Sequence, residues 1–400
     1  MSDVRSVAIG FWVGVGSRDE APGEAGASHF LEHLLFKGTP TRSAQGIAQA
    51  VEAVGGEMNA FTAKDHTAFY LRLLADDLSL GLDVLCDIMW DPAFRVDEVE
   101  AERQVILEEI LMQRDEPEDL VHEMLAAALW PGHALGRDPL GDQATVMSMS
   151  VTEISAFHRR FYRPGTTVFA AAGLVDHDAL VAEVEARFAR SGRAAGGSRP
   201  ERRPPDGEPT PLVVRRRKTE QAHLAWGLPA MSRADPDRHA ATLLAHALGG
   251  GTASRLFQEV RERRGLAYSV YADRSGYDDA GVLVIYAGTA PNRAAETYKV
   301  VTDEILRLAD GIDAQELAVA RGNIVGSLAL GLEDSGARMH RIGRSQLLHG
   351  HIPTVDEVAA SLASVTLDDL RRVGARLLER PRTLAVVGPF RTEQVAGWVA

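Results

Sequence analysis

The chain has 400 residues, 45% hydrophobic and 25% charged, an ordinary globular composition that exceeds the usual size of one hydrophobic core, so at least two domains are expected. A net charge of −13 argues against a nucleic-acid partner. One cysteine, Cys86, excludes an intramolecular disulfide, and neither a basic start followed by an apolar core nor a run of 18 apolar residues occurs, so the expectation is a cytoplasmic protein with no membrane span.

In chain order, residues 7–15 are expected as a strand and residues 14–26 as a polar loop. In Gly26-Ala-Ser-His29-Phe-Leu-Glu32-His33-Leu-Leu-Phe36, apolar Phe30, Leu31, Leu34 and Leu35 interleave with His29, Glu32 and His33 at a helical period, which predicts a buried helix. At about 100° per residue, positions i, i+3 and i+4 share a face. Two imidazoles one turn apart then aim at a single point, with a carboxylate beside them to handle a proton. That is metal-ligand spacing with a base attached, in the inverted order H-x-x-E-H of the H-E-x-x-H zinc helix. With 13 His and 56 acidic residues, chance supplies at most roughly 0.06 such matches, so accidental packing of two core histidines is the weaker alternative.

Residues 43–54 read as a second helix stopped by Gly55-Gly56, and residues 57–63 and 67–73 as two alternating strands around a Lys64-Asp65-His66 turn. Helices follow at roughly 76–90, 96–113, 116–129 and 151–161, then a strand at 166–173 and a helix at 176–189 capped by Asp176. Cys86, among Val84, Leu85, Ile88 and Met89, reads as core. On the segment 96–113 Glu102 and Glu109 lie seven apart, two turns along one face. Residues 196–208, rich in Gly, Pro and Arg, cannot pack a core and read as a linker.

Beyond the linker the same order returns. Gln258-Glu-Val-Arg-Glu-Arg-Arg-Gly265-Leu-Ala-Tyr268-Ser-Val-Tyr-Ala272 aligns without a gap on Gln49 to Ala63, a strand at 281–288 and helices at about 291–309 and 313–331 follow, and Arg380-Pro-Arg-Thr repeats Arg163-Pro-Gly-Thr. The expected class is α+β: two homologous α/β domains, 1–195 and 209–400, each a mostly antiparallel sheet backed by helices. In this alignment Arg238, Ala241 and Thr242 stand opposite His29, Glu32 and His33, and setting Ala320-Arg321 on Glu102-Arg103 places Ser327 opposite Glu109. His239 and His246 have no acidic partner on their helix, so the second domain is expected to be metal-free, a scaffold and substrate wall. Residues 1–195 carry 16 Lys+Arg against 31 Asp+Glu, and residues 209–400 carry 24 against 22. An acidic metal-bearing half would favour basic peptides, unless that charge is only a solvated surface.

The H-x-x-E-H helix and the segment Glu102-Arg-Gln-Val-Ile-Leu-Glu-Glu109 together resemble the inverzincin metallopeptidases, the pitrilysin and mitochondrial processing peptidase family, in a bacterial processing-peptidase-like form. The resemblance implies one Zn²⁺ per chain, held by His29, His33 and a third ligand about 76 residues past the second His, here Glu109. It implies that Glu102 supports the site from behind and that Glu32 acts as general base on a metal-activated water in an endopeptidase acting on peptides or unfolded segments. Leu248-Gly-Gly-Gly251 through Tyr268 resembles the family's second signature, in which an Arg and a Tyr seven residues later, here Arg261 and Tyr268, reach toward the bound peptide. Asn59-Ala60-Phe61-Thr62 resembles its substrate-side edge strand, where a peptide adds through main-chain bonds. Relatives of this length pair into a four-domain chamber, which implies a homodimer. One departure is the lack of a further strand before residues 4–15, so the chain is expected either to be truncated at its start or to leave an open edge on the first sheet. The alternative, a non-proteolytic scaffold subunit, would be expected to carry a broken H-x-x-E-H, and this one is intact.

Overall fold

The computed structural model describes residues 1, 3–192 and 196–399. It contains two compact units. The first comprises Met1–Leu111, Asp138–Glu201 and Ala329–Pro353; the second comprises Met112–Arg137, Arg202–Leu328 and Thr354–Ala400. These units do not follow the two sequence halves continuously, because each half sends one helix to the other half's sheet. Helix Pro117–Leu129 belongs to the second unit and helix Ser335–His349 to the first. Residues 196–208 form neither helix nor strand. Among the described residues no helix is long and apolar enough to cross a membrane.

The first unit is built on strands β1 (Ser6–Val13), β2 (Glu57–Thr62), β3 (Thr67–Leu74) and β4 (Thr167–Gly173), ordered β2-β3-β1-β4 and antiparallel throughout. Both faces are covered, so β1 is apolar along nearly its whole length instead of alternating. One face places Ile9, Phe11, Phe69 and Leu71 against Phe30, Leu31 and Leu34 of helix Ala27–Leu34 and against Leu82, Leu85 and Ile106. The other face is lined by Ala8, Trp12, Ala68, Ala170 and Ala172, small enough for helix Ser335–His349 to approach through Met339, Leu347 and Leu348. Residues 14–18, expected as a polar loop, are buried, because the Ser17 and Arg18 amides donate to the Ala63 and Lys64 carbonyls at 3.2 and 2.8 Å. Gly16 permits that approach: a Cβ there would lie 2.2 Å from the Ala63 oxygen.

The second unit carries β5 (Leu212–Arg216), β6 (Ala222–Pro229), β7 (Ala267–Gly276), β8 (Gly281–Thr289) and β9 (Thr383–Gly388), ordered β5-β9-β6-β8-β7. Its inner face packs Leu224, Trp226, Leu283, Ile285 and Val386 on helices, and its other face receives Leu120, Val121 and Leu125 of helix Pro117–Leu129. The β5–β9 pair is parallel, while the other pairs are antiparallel. In sequence order β4 corresponds to β9, yet β4 has no counterpart of β5 beside it and forms a sheet edge among the described residues. Cys86 is buried in the first core, and burial pushes its thiol up to about 12, so it holds almost no thiolate at neutral pH.

The closest seam between a transferred helix and its sheet is at Gly343, where a Cβ would lie 2.1 Å from Trp12 Nε1. Gly343→Ala is therefore expected to lower the unfolding free energy by about 1–3 kcal/mol through overpacking, despite the better helix propensity of alanine. Gly322→Ala, in helix Ala314–Gly331 with nothing within 4 Å of its Cβ position, should instead stabilise by about 0.5–1 kcal/mol. Denaturant midpoints measured side by side check both, and a Gly343→Ala midpoint at or above wild type would remove the seam from the account.

Candidate metal centre

Helix Ala27–Leu34 starts at Gly26, whose φ of 94° turns the buried loop into the helix axis. Its apolar residues face the core, which leaves His29, Glu32 and His33 together on the remaining face. The helix Val96–Asp115 anchors itself through Val99, Ile106 and Ile110 and brings Glu102 and Glu109 to the same place. Its Arg103, also buried, donates to the Val146 and Met149 carbonyls and lies 5.3 Å over the Phe30 ring, which ties the two helices together.

Three donor atoms converge: His29 Nε2 and His33 Nε2 are 3.2 Å apart, and Glu109 Oε2 is 3.6 and 3.4 Å from them. Among the described residues, this trio is the group of three His, Cys, Asp or Glu side chains whose ligand atoms lie within 4.8 Å of one another. A tetrahedron with metal–ligand bonds near 2.0–2.1 Å has edges of about 3.3 Å, so the triangle matches one face of a zinc site and leaves the fourth corner open.

The charge pattern around it is directional. His33 Nδ1 is 2.8 Å from Glu102 Oε1, and a proton donated there turns the Nε2 lone pair inward. Glu102, only 5% exposed, is paired through its other oxygen with Lys37 Nζ at 2.6 Å. Burial alone would raise the Glu102 pKa, but its hydrogen bonds to His33 and Lys37 outweigh that and hold it below the ordinary carboxylate value. Burial likewise works to lower His33, yet the Glu102 hydrogen bond and the neighbouring carboxylates bring it above the ordinary histidine value. His29, with no such partner, is pushed down to about 4 by burial and by His33. Burial pushes the Glu32 carboxyl up, opposed by hydrogen bonds from Thr62.

The segment expected to take substrate is β2, which among the described residues pairs with β3 alone and is an edge strand of its sheet. Ala60 packs into the core and Phe61 meets Trp12 and His340, at ring centroids 5.7 and 6.1 Å away. The Ala60 amide donates to the Asn59 side chain at 2.8 Å, and the Thr62 hydroxyl donates to the Ser28 carbonyl at 3.4 Å, one turn before Glu32. In the second unit, Arg261 belongs to a π-helical turn, Phe257–Arg263. Gly265, at φ 56°, reverses the chain, and a register shift follows at the start of β7. These bring the Arg261 guanidinium 4.5 Å over the Tyr268 ring and 4.7 Å over the Phe257 ring, and it donates to the Tyr268 carbonyl at 3.2 Å. Tyr268 is 78% exposed. Opposite the first unit's donors, Ala241 is buried in the core and Thr242 donates to the Arg238 carbonyl, so that helix face is spent on packing. Lys37 and the Thr62 contact escaped the sequence reading. Lys37, one turn past His33, was the readable signal, whereas the Thr62 contact depends on the hairpin's placement.

Two family models match the chain: one described as Insulinase (Peptidase family M16) over residues 2–143, and one described as Peptidase M16 inactive domain over residues 148–324. An uncharacterized zinc protease of Streptomyces coelicolor is 46% identical over 99% of this chain and 88% of its own length. The uncharacterized zinc protease YmxG of Bacillus subtilis is 38% identical over 96% and 94%. Among solved structures, a peptidase M16 inactive domain from Pseudomonas fluorescens superposes with a TM-score of 0.88 at 22% identity, covering 98% of this chain and 94% of that one. A protease from Helicobacter pylori does so with 0.89, at 22% identity and 96% and 95% coverage, and both show the shared two-domain fold. With matches over both halves and a 46% identical relative along nearly its full length, the chain belongs to the insulinase family of peptidases, Peptidase family M16.

Proposed function

We propose that the chain is a zinc-dependent endopeptidase acting on peptides or unfolded segments. The observation that carries this reading is the triangle of His29, His33 and Glu109 donors with edges of 3.2–3.6 Å and Glu32 on the same helix face. A zinc ion held there supplies Lewis acidity toward a peptide carbonyl and toward water. Glu32 accepts the proton of the attacking water and later delivers one to the leaving amine, from the helix face it shares with the two histidines. Glu102 and Lys37 hold the His33 ring so that its Nε2 points inward.

A peptide is held by adding as a strand to the edge of β2 away from β3, where its carbonyl replaces the Asn59 side chain on the Ala60 amide. Main-chain recognition of this kind is loose in sequence, and the acidic first half adds a preference for basic peptides. The names of the relatives, zinc proteases, agree with this chemistry.

Because ligand and base roles fall on different residues, Glu32→Gln should keep zinc and lose turnover, whereas His33→Ala or Glu109→Ala should lose both. Zinc content by elemental analysis alongside cleavage of a quenched peptide library tests this. Loss of zinc from Glu32→Gln, or full activity in Glu109→Ala, would overturn the assignment.

The exposed Tyr268 hydroxyl is proposed as a donor to the oxyanion formed at the scissile carbonyl, with Arg261 gripping the peptide backbone. Tyr268→Phe is then expected to lower kcat roughly 100-fold at full zinc occupancy, as loss of one oxyanion donor does elsewhere, and Arg261→Ala chiefly to raise KM. An unchanged kcat for Tyr268→Phe leaves the second unit as scaffold. The working form is proposed to be a homodimer with two-fold symmetry. Sedimentation at micromolar concentration should show it, and a monomer that still cleaves would refute it.

A further inference from the structure

The helix that carries His29, Glu32 and His33 has no side chain of its own to cap it, because its N-cap is Gly26. The first amides of any helix lack intrahelical partners and need acceptors from elsewhere. Here the acceptor comes from six residues upstream. Glu20 Oε2 takes the Gly26 amide at 2.9 Å and Oε1 takes the Ser28 amide at 2.8 Å, and the residue is 5% exposed. Glu20 is itself fixed, because the loop before it is pinned to the β2–β3 turn by the Ser17 and Arg18 amides.

His29 is the third residue of this helix, in the first turn, and His33 stands one turn later. Fraying of the first turn would thus displace one ligand and spare the other. The charge matters as well as the bonds. A helix N-terminus carries roughly half a positive charge, which disfavours a dication coordinated within the first turn. A buried carboxylate on those same amides offsets it.

We infer that Glu20 is a positioning residue for metal binding, fixing His29 through the first turn of the helix and compensating the helix end so that a divalent cation can be held there. This rests on the reading that His29, His33 and Glu109 hold zinc.

The test is zinc affinity, measured by competition with a chromophoric chelator on the full chain. Glu20→Gln keeps the size of the side chain but removes its charge and one of its two acceptors, and it should weaken zinc binding about tenfold. Glu20→Ala should weaken it further. Hydrogen exchange of the Gly26 and Ser28 amides should quicken in both variants. Glu24→Gln, in the same loop but paired with Arg160 at 2.7 Å, should leave zinc affinity unchanged and so separates position from charge alone. Should Glu20→Ala fail to fold, Glu20→Gln decides. Zinc affinity within twofold of wild type in Glu20→Gln, or an equal loss in Glu24→Gln, overturns the role. A wild-type chain that takes up no zinc overturns the site itself, whereas a zinc-binding wild type with unaffected variants overturns Glu20 alone.

Discussion

Three electron-rich donors meet within 3.6 Å of one another between two helices, and the rest of the first unit has to hold them there. Left to themselves, two imidazole lone pairs and a carboxylate would separate or take up protons. The opposite shifts of His29 and His33 show how that tension is distributed. The ring without a carboxylate behind it stays neutral, and the one braced by Glu102 becomes the more basic. A dication at the same point removes the conflict, so the fold stores the geometry that metal binding relieves.

What holds the donors is a set of buried polar contacts set into an apolar frame. Phe30, Leu31 and Leu34 fix one helix on the sheet, while Val99, Ile106 and Ile110 fix the other. Arg103 bridges them, Glu102 and Lys37 set the ring of His33, and Glu20 fastens the helix start. Thr62 of β2 donates to the Ser28 carbonyl, so the strand proposed to take the peptide is tied to the helix that carries the group proposed to take the proton. The second unit repeats the architecture without the donors, and its corresponding helix face is given over to packing.

Much of this was legible in the sequence, because period and repetition survive in one dimension. The hairpin of β2 and β3 and helix Val151–Phe161 follow from alternation and helical spacing, and the doubled sheet follows from the repeat. The transfer of helices Pro117–Leu129 and Ser335–His349 was not legible, since an apolar face says that a helix must cover something but not which sheet. The parallel β5–β9 pair was hidden for a related reason: its partners lie about 170 residues apart. Glu20 was missed because capping rules look to the residue at the helix start, and that residue is a glycine.

The transferred helices have a consequence for how such a chain could arise. A lone copy of either repeat would own a sheet with one bare face and a helix with nothing beneath it. Two copies side by side could satisfy both by trading that helix, which is a reciprocal swap between identical subunits. Joining them through the proline-rich stretch at 196–208 makes the trade internal and frees one copy to shed its donors. In the present chain each half contributes one helix to the other unit, so neither half by itself contains every element of its own core.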